Sequence, residues 1–275
     1  MKKNSSGLTV DSTKGRQVTA FIVRTVREIR RNKASLFWCL VFPSAFFAFN
    51  LFVFVNIGTV VPENRAPVIG SVAITFGVLG VLFVALYVFS QQFVSDLEHG
   101  NYLKFRTTSL TPLSDLGGRL LASIMLAFVS LGVVLIFAIF LGGEYQFRSI
   151  TSIPVVIGTV VALTTVWVVI GMGIATVISD TRTVTVVSIS LVLGAFFLTG
   201  FNGGNPQFFA PNAEWLDAFP NSLSARILLY HMIDISADQM PEPGIPGMTQ
   251  HLLMAGYGIG SFGIGLLLTH RFHRS

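Results

Sequence analysis

The chain alternates long apolar runs with short polar breaks. Six runs, at about 35–55, 67–91, 119–141, 153–178, 183–201 and 250–269, have the length that carries a helix across a bilayer, roughly 20 residues. The pattern predicts an all-α polytopic membrane protein with six transmembrane helices. Ahead of the first run, residues 1–15 are polar and read as a flexible cytoplasmic tail. Residues 16–33 place Val18, Phe21, Ile22, Val26 and Ile29 on one helical face, with Arg24, Arg27, Arg30, Arg31 and Lys33 on the rest. That is a basic amphipathic helix, expected to lie in the inner membrane interface. Residues 34–275 follow as a single six-span domain. Between spans five and six, residues 202–249 hold Pro206, Pro211, Pro220, Pro241, Pro243 and Pro246. Within that region Ser222–Ile235 sets Leu223, Ile227, Leu228 and Met232 on one face, so an outer re-entrant or interfacial helical segment is expected there, lying on the outer membrane surface or closing the exit.

Composition agrees with this reading and fixes an orientation. Hydrophobic residues make up 52% and charged residues only 11%, against about 25% charged in ordinary globular proteins. One cysteine, Cys39, rules out an internal disulfide framework. The net charge of +5 is concentrated in the first 33 residues, which suits the inner face of a membrane and is no nucleic-acid signal. With both termini in the cytoplasm, 15 of the 18 lysines and arginines fall on the inner side, leaving Arg65, Arg148 and Arg226 outside. This bias places the polar break between spans two and three in the cytoplasm.

That break, Asp96 to Arg119, reads DLEHGNYLKFRTTSLTPLSDLGGR. Its charged groups could not sit unpaired in hydrocarbon, so it is expected outside the membrane. Gly100 can end or bend a helix descending from span two. Tyr102, Leu103 and Phe105 then alternate with Lys104 and Arg106, a mixture that suits contact with another protein. The order acidic–x–acidic–x–Gly, Tyr-Leu-Lys-Phe-Arg, Thr-Pro-Leu-Ser and Gly-Arg resembles the loop after the second span in ABC-2 type permeases, the membrane subunits of one class of ATP-binding-cassette exporters. The distance from Gly100 to Pro112 is longer than in the commoner family form. The resemblance extends to overall length, six-span layout and the basic amino-terminal helix. It implies that this loop holds a coupling helix that docks on an ABC ATPase subunit, with Asp96, Glu98, Gly100, Tyr102, Leu103, Lys104, Phe105, Arg106, Pro112 and Leu113 as the coupling residues. It also implies a second permease chain, as a homodimer or a close paralogue, and a location in the plasma or inner membrane.

Other chemistry is thin. The lysines at 2, 3, 14, 33 and 104 close no Gly-x-x-x-x-Gly-Lys-Ser/Thr loop, so no P-loop can bind ATP here. The chain is expected to bind no cofactor itself, with ATP and magnesium on the partner, and to be a transport subunit rather than an enzyme. No catalytic constellation and no metal cluster stands out. The span centres carry almost no ionisable residue, which disfavours an ion-coupled carrier. They suggest a pathway of apolar, aromatic and hydroxyl groups, with Phe46, Asn50, Thr164, Trp167 and Phe197 as candidates, suited to a lipid-like or hydrophobic cargo. The alternative is a non-transporting integral membrane protein, such as an assembly factor or an intramembrane enzyme.

Overall fold

The computed structural model describes residues 6–100, 112–198, 213–234 and 244–274. They form eight helices in our numbering, and no strand occurs among the described residues. Helix α1 is Ser6–Arg31. The spans are α2 (Lys33–Phe54), α3 (Pro62–Glu98), α4 (Pro112–Phe140), α5 (Ser152–Ala175), α6 (Thr181–Leu198) and α8 (Met248–Arg274). The short α7 (Pro220–Met232) lies between α6 and α8. All six expected spans are present as long apolar helices.

Helix α3 is the axis of the bundle. In its most apolar window 94% of the residues are buried, against 22% for α6 and 17% for α8. Its 37 residues correspond to about 55 Å, well beyond a hydrocarbon core of about 30 Å. It is longer than the expected 67–91 at both ends. Pro62 starts it early, since a proline in the first turn sacrifices no helical hydrogen bond. The far end continues past the apolar run until Gly100 (φ 64°) stops it in the left-handed conformation that only glycine adopts freely.

Span α2 carries a proline, Pro43, in its interior. Residue 43 cannot donate to the carbonyl of Cys39, and α2 widens to a π-helical turn over Phe37–Val41. The freed Cys39 carbonyl accepts a hydrogen bond from the Ser130 hydroxyl of α4. A proline defect in one span thus becomes an inter-helix bond.

Three local expectations change. Helix α1 is described from Ser6, so residues 6–15, read as tail, are helical. It buries Thr25 and Ile29, whereas Val26, placed on its apolar face, is 47% exposed. Helix α7 was expected to lie on the outer membrane surface or to close the exit, with one apolar face. It is buried nearly all round, including Asn221, Ser222, Ser224 and Arg226 as well as Leu223, Ile227 and Leu228. Helices α3, α5 and α8 supply the packing partners that the sequence pattern could not show. Of the glycines in α8, two make the close approach expected of a small-residue seam. A Cβ on Gly258 would lie 2.9 Å from Ala162 and one on Gly265 3.0 Å from Val169, whereas Gly256, Gly260 and Gly263 face open space.

Candidate functional site at the loop end of the helices

The two acids of the Asp-x-Glu-x-Gly sequence leave α3 on different sides and tie down different helices. Asp96 is 2% exposed. One of its oxygens pairs with the Arg24 guanidinium of α1, and the other accepts from Arg119 of α4 at 2.7 Å. Arg119 also donates to Asp115 one turn earlier at 2.7 Å, and its guanidinium lies 5.4 Å from the Phe93 ring centre. Arg24 in turn bonds Glu28 at 2.7 Å. Asp96 is therefore the joint of three helices, α1, α3 and α4. Glu98 is exposed and reaches the first residue of α6, accepting from the Thr181 amide at 3.3 Å and from its hydroxyl. An acid at a helix amino terminus meets unpaired N–H groups and the positive end of the dipole.

The stretch 96–119 was expected to lie outside the membrane, and its two ends are packed against other helices. Asp96, Asp115 and Arg119 are buried in helices, because each charge has a partner at hydrogen-bond distance. A paired charge can be buried where a lone one cannot. Asp96 is accordingly occupied inside the fold. Pro112 is the first residue of α4, and Leu113 beside it is 56% exposed. Tyr102, Leu103, Lys104, Phe105 and Arg106 lie outside the described residues. The segment that carries them is held at one end by Gly100 and at the other by Pro112, both rooted in the ion-paired joint.

A second polar network lies beside the first. Gln91 of α3 accepts from the Asn32 amide and the Ser35 hydroxyl, each at 3.2 Å, and donates to the Thr185 hydroxyl of α6 at 3.2 Å. It bridges spans one, two and five. A pocket of about 440 Å³ opens over both networks, lined by Arg24, Asn32, Gln91, Asp96, His99 and Thr181 among others. Across the pocket mouth, Asp180 caps α6 by accepting from the amide and hydroxyl of Thr183, and those bonds hold its carboxyl below the usual range.

From this pocket an aromatic ladder climbs the same three spans. Trp38 stacks on Phe83 (5.3 Å between centroids) and meets Phe42 (4.9 Å), which meets Phe46 (5.4 Å). Phe46 contacts Phe76 of α3 at 5.2 Å and Phe197 of α6 at 5.9 Å. The pathway candidates Phe46 and Phe197 are thus brought together, and Asn50 lies one turn beyond Phe46, 7% exposed. Thr164 and Trp167 sit apart on α5. Thr164 is fully buried, with its hydroxyl donating to the Val160 carbonyl of its own helix at 2.7 Å. Trp167 is 6% exposed, and its indole N–H has no partner.

The sequence reading did not single out Arg24, Gln91 or Thr181. The Asp115–Arg119 spacing of four was a visible signal for a helical pair, but nothing in one dimension links Arg24 to Asp96. Among the described residues, no three potential metal ligands cluster.

A search of curated proteins gave no match. A comparison with protein families did: the ABC-2 type transporter family matches residues 16–219, which covers the second half of α1, the first five spans and both polar networks. With six apolar helices long enough to cross a membrane and an intracatenary joint at the loop after the second, this chain belongs to the ABC-2 type transporter family, as a multi-pass membrane permease.

Proposed function

We propose that this permease forms the translocation pathway of an exporter and is driven by a separate ABC ATPase that docks on residues 100–113. The family works with ABC ATPases at the membrane, and ATP and magnesium belong to that partner. The observation that carries the reading is the anchoring of the docking segment. Asp96 ties its root to α1 and α4, and Glu98 ties it to α6. A displacement of the segment by a closing ATPase pair is therefore delivered to four helices at once, which is the requirement for alternating access. Tyr102, Leu103, Phe105 and Arg106 are the docking side chains in this reading, Lys104 adds charge, and a second permease chain, identical or a close paralogue, completes the pathway. The 15-to-3 distribution of basic residues supports cytoplasmic termini and a plasma or inner membrane location. The ladder from Trp38 to Phe46, with Phe197 and Asn50, supports a lipid-like or hydrophobic cargo.

Alanine at Tyr102, Leu103, Phe105 and Arg106 together tests this. The variant should insert normally, because the spans are untouched, and should lose co-purification with the ATPase and transport-linked stimulation of its activity. Loss of a single anchor such as Phe105 should weaken docking by about 2 kcal/mol or more if it is a hot spot. Undiminished docking and transport in the four-fold variant would show that the segment is only a connection.

A further inference from the structure

At the end of the bundle away from Gly100, three elements meet around two histidines. His231 lies in the last turn of α7 and His251 in the first turn of α8. Their Nε2 atoms are 3.0 Å apart and the rings stand at 82°. Nδ1 of His251 is 2.7 Å from the Gly247 carbonyl. A carbonyl can only accept, so Nδ1 carries the proton and Nε2 of neutral His251 is a bare acceptor. His231 must then donate from Nε2, and its Nδ1 accepts from the Ser152 hydroxyl, 2.9 Å away at the first residue of α5. The direction of donation is fixed: Ser152 to His231, His231 to His251, and His251 to the Gly247 carbonyl, which only accepts.

The surroundings are positive. Arg148, in the connection between α4 and α5, donates from Nε to the Tyr230 carbonyl at 2.6 Å and covers the Tyr230 ring at 4.4 Å. Its backbone amide bonds the His231 carbonyl at 3.4 Å. The charged or chargeable groups that act on His231 are His251 from α8 and Arg148 from that connection. Glu144 in the same connection and Asp234 just past α7 are exposed. Burial, then His251, then Arg148 hold His231 below the ordinary histidine range.

We propose that His231 and His251 form a proton-operated latch that holds α7 against α8 at this end of the permease and opens it when two protons are bound. The first proton is accommodated. It adds to Nδ1 of His231, and the Ser152 hydroxyl turns from donor to acceptor while the bond to His251 stays. The second has one site left, Nε2 of His251. There it sets N–H against N–H at a separation of 3.0 Å and faces one cation with another, with Arg148 adding a third charge. The hydrogen bond cannot survive this, and the two helix ends must part. Other polar contacts also join this region. The Ser224 hydroxyl reaches Met254 Sδ at 3.5 Å, and Tyr257 donates to the Ala218 carbonyl at 3.1 Å. The sign follows from linkage. The opened state binds more protons, so closure is complete above the ordinary histidine value of about 6.5 and is lost as pH falls below it.

The test uses the full chain in lipid nanodiscs. Amide exchange of residues 220–232, corrected for intrinsic rates, should lose at least about tenfold protection between about pH 7.5 and about pH 5, the range in which histidines charge. His251→Gln keeps an acceptor for His231 but takes no proton, and it should abolish most of that loss. Exchange of the imidazole C2 hydrogens in the unmodified chain gives a readout that needs no variant. The pair should take its two protons in separate steps. Independent titration of the two rings near about 6.5 would overturn the latch. So would an equal pH effect in His251→Gln, or protection in the unmodified chain that does not change with pH. A loss of protection produced at neutral pH by a chelator alone would overturn it in favour of a bound metal.

Discussion

Replacing Asp96 by asparagine keeps the shape of the side chain and removes one charge from the joint of three helices. The Arg119 guanidinium, with its side chain 8% exposed, would then lose the Asp96 carboxylate and keep that of Asp115. Two charges with centres about 4 Å apart interact by about 4 kcal/mol at an effective dielectric constant of about 20. Loss of one partner from a buried pair destabilises by about 3–5 kcal/mol, because the remaining charge stays desolvated. Arg119 keeps Asp115, so the lower end applies, about 3 kcal/mol. The Arg24 side is different. Its side chain is 33% exposed and retains Glu28, so solvent screens it and its share is at most about 0.5 kcal/mol. The expected loss in unfolding free energy for Asp96→Asn is therefore about 3 kcal/mol, nearly all of it through Arg119. Denaturant unfolding in mixed micelles measures it, and a double-mutant cycle with Arg119→Met isolates it. The triple variant Asp96→Leu, Asp115→Leu, Arg119→Met should recover most of the stability, since apolar groups then replace the whole buried cluster with little net change. Stability unchanged in Asp96→Asn, or strictly additive effects of Asp96→Asn and Arg119→Met, would refute the argument that this pair closes the joint.

Gly258→Leu should weaken packing of α8 on α5 by about 1–3 kcal/mol, because its Cβ meets Ala162, whereas Gly260→Ala, with nothing near, should stay within about 0.5 kcal/mol by the same unfolding measurement. Gly100→Val forces a β-branched residue to φ 64°, and it should reduce ATPase stimulation by the permease while leaving membrane insertion intact. Reporter fusions after Arg65, Arg148 and Pro241 should read outside and one after Pro112 inside, as the charge bias requires.

The six spans were legible because bilayer length and hydropathy are properties of consecutive residues. Their ends were less so. Helix α3 runs past its apolar stretch to Glu98, and α4 begins at Pro112, because paired charges permit a helix to continue where hydropathy alone marks a break. The amphipathic pattern in α7 showed only its apolar stripe, since a one-sided pattern does not reveal that α3, α5 and α8 also enclose the polar side.

The hydropathy pattern by itself determined the class of the protein and its six spans. These are local or additive quantities. Only the tertiary structure decided that Asp96 is a buried joint, that Gln91 ties spans one, two and five, and that His231 faces His251. Each depends on side chains from different helices meeting at hydrogen-bond distance, such as Arg24 and Asp96, 72 residues apart in sequence. Which polar group is paired, and hence which can be buried, is set by packing in three dimensions.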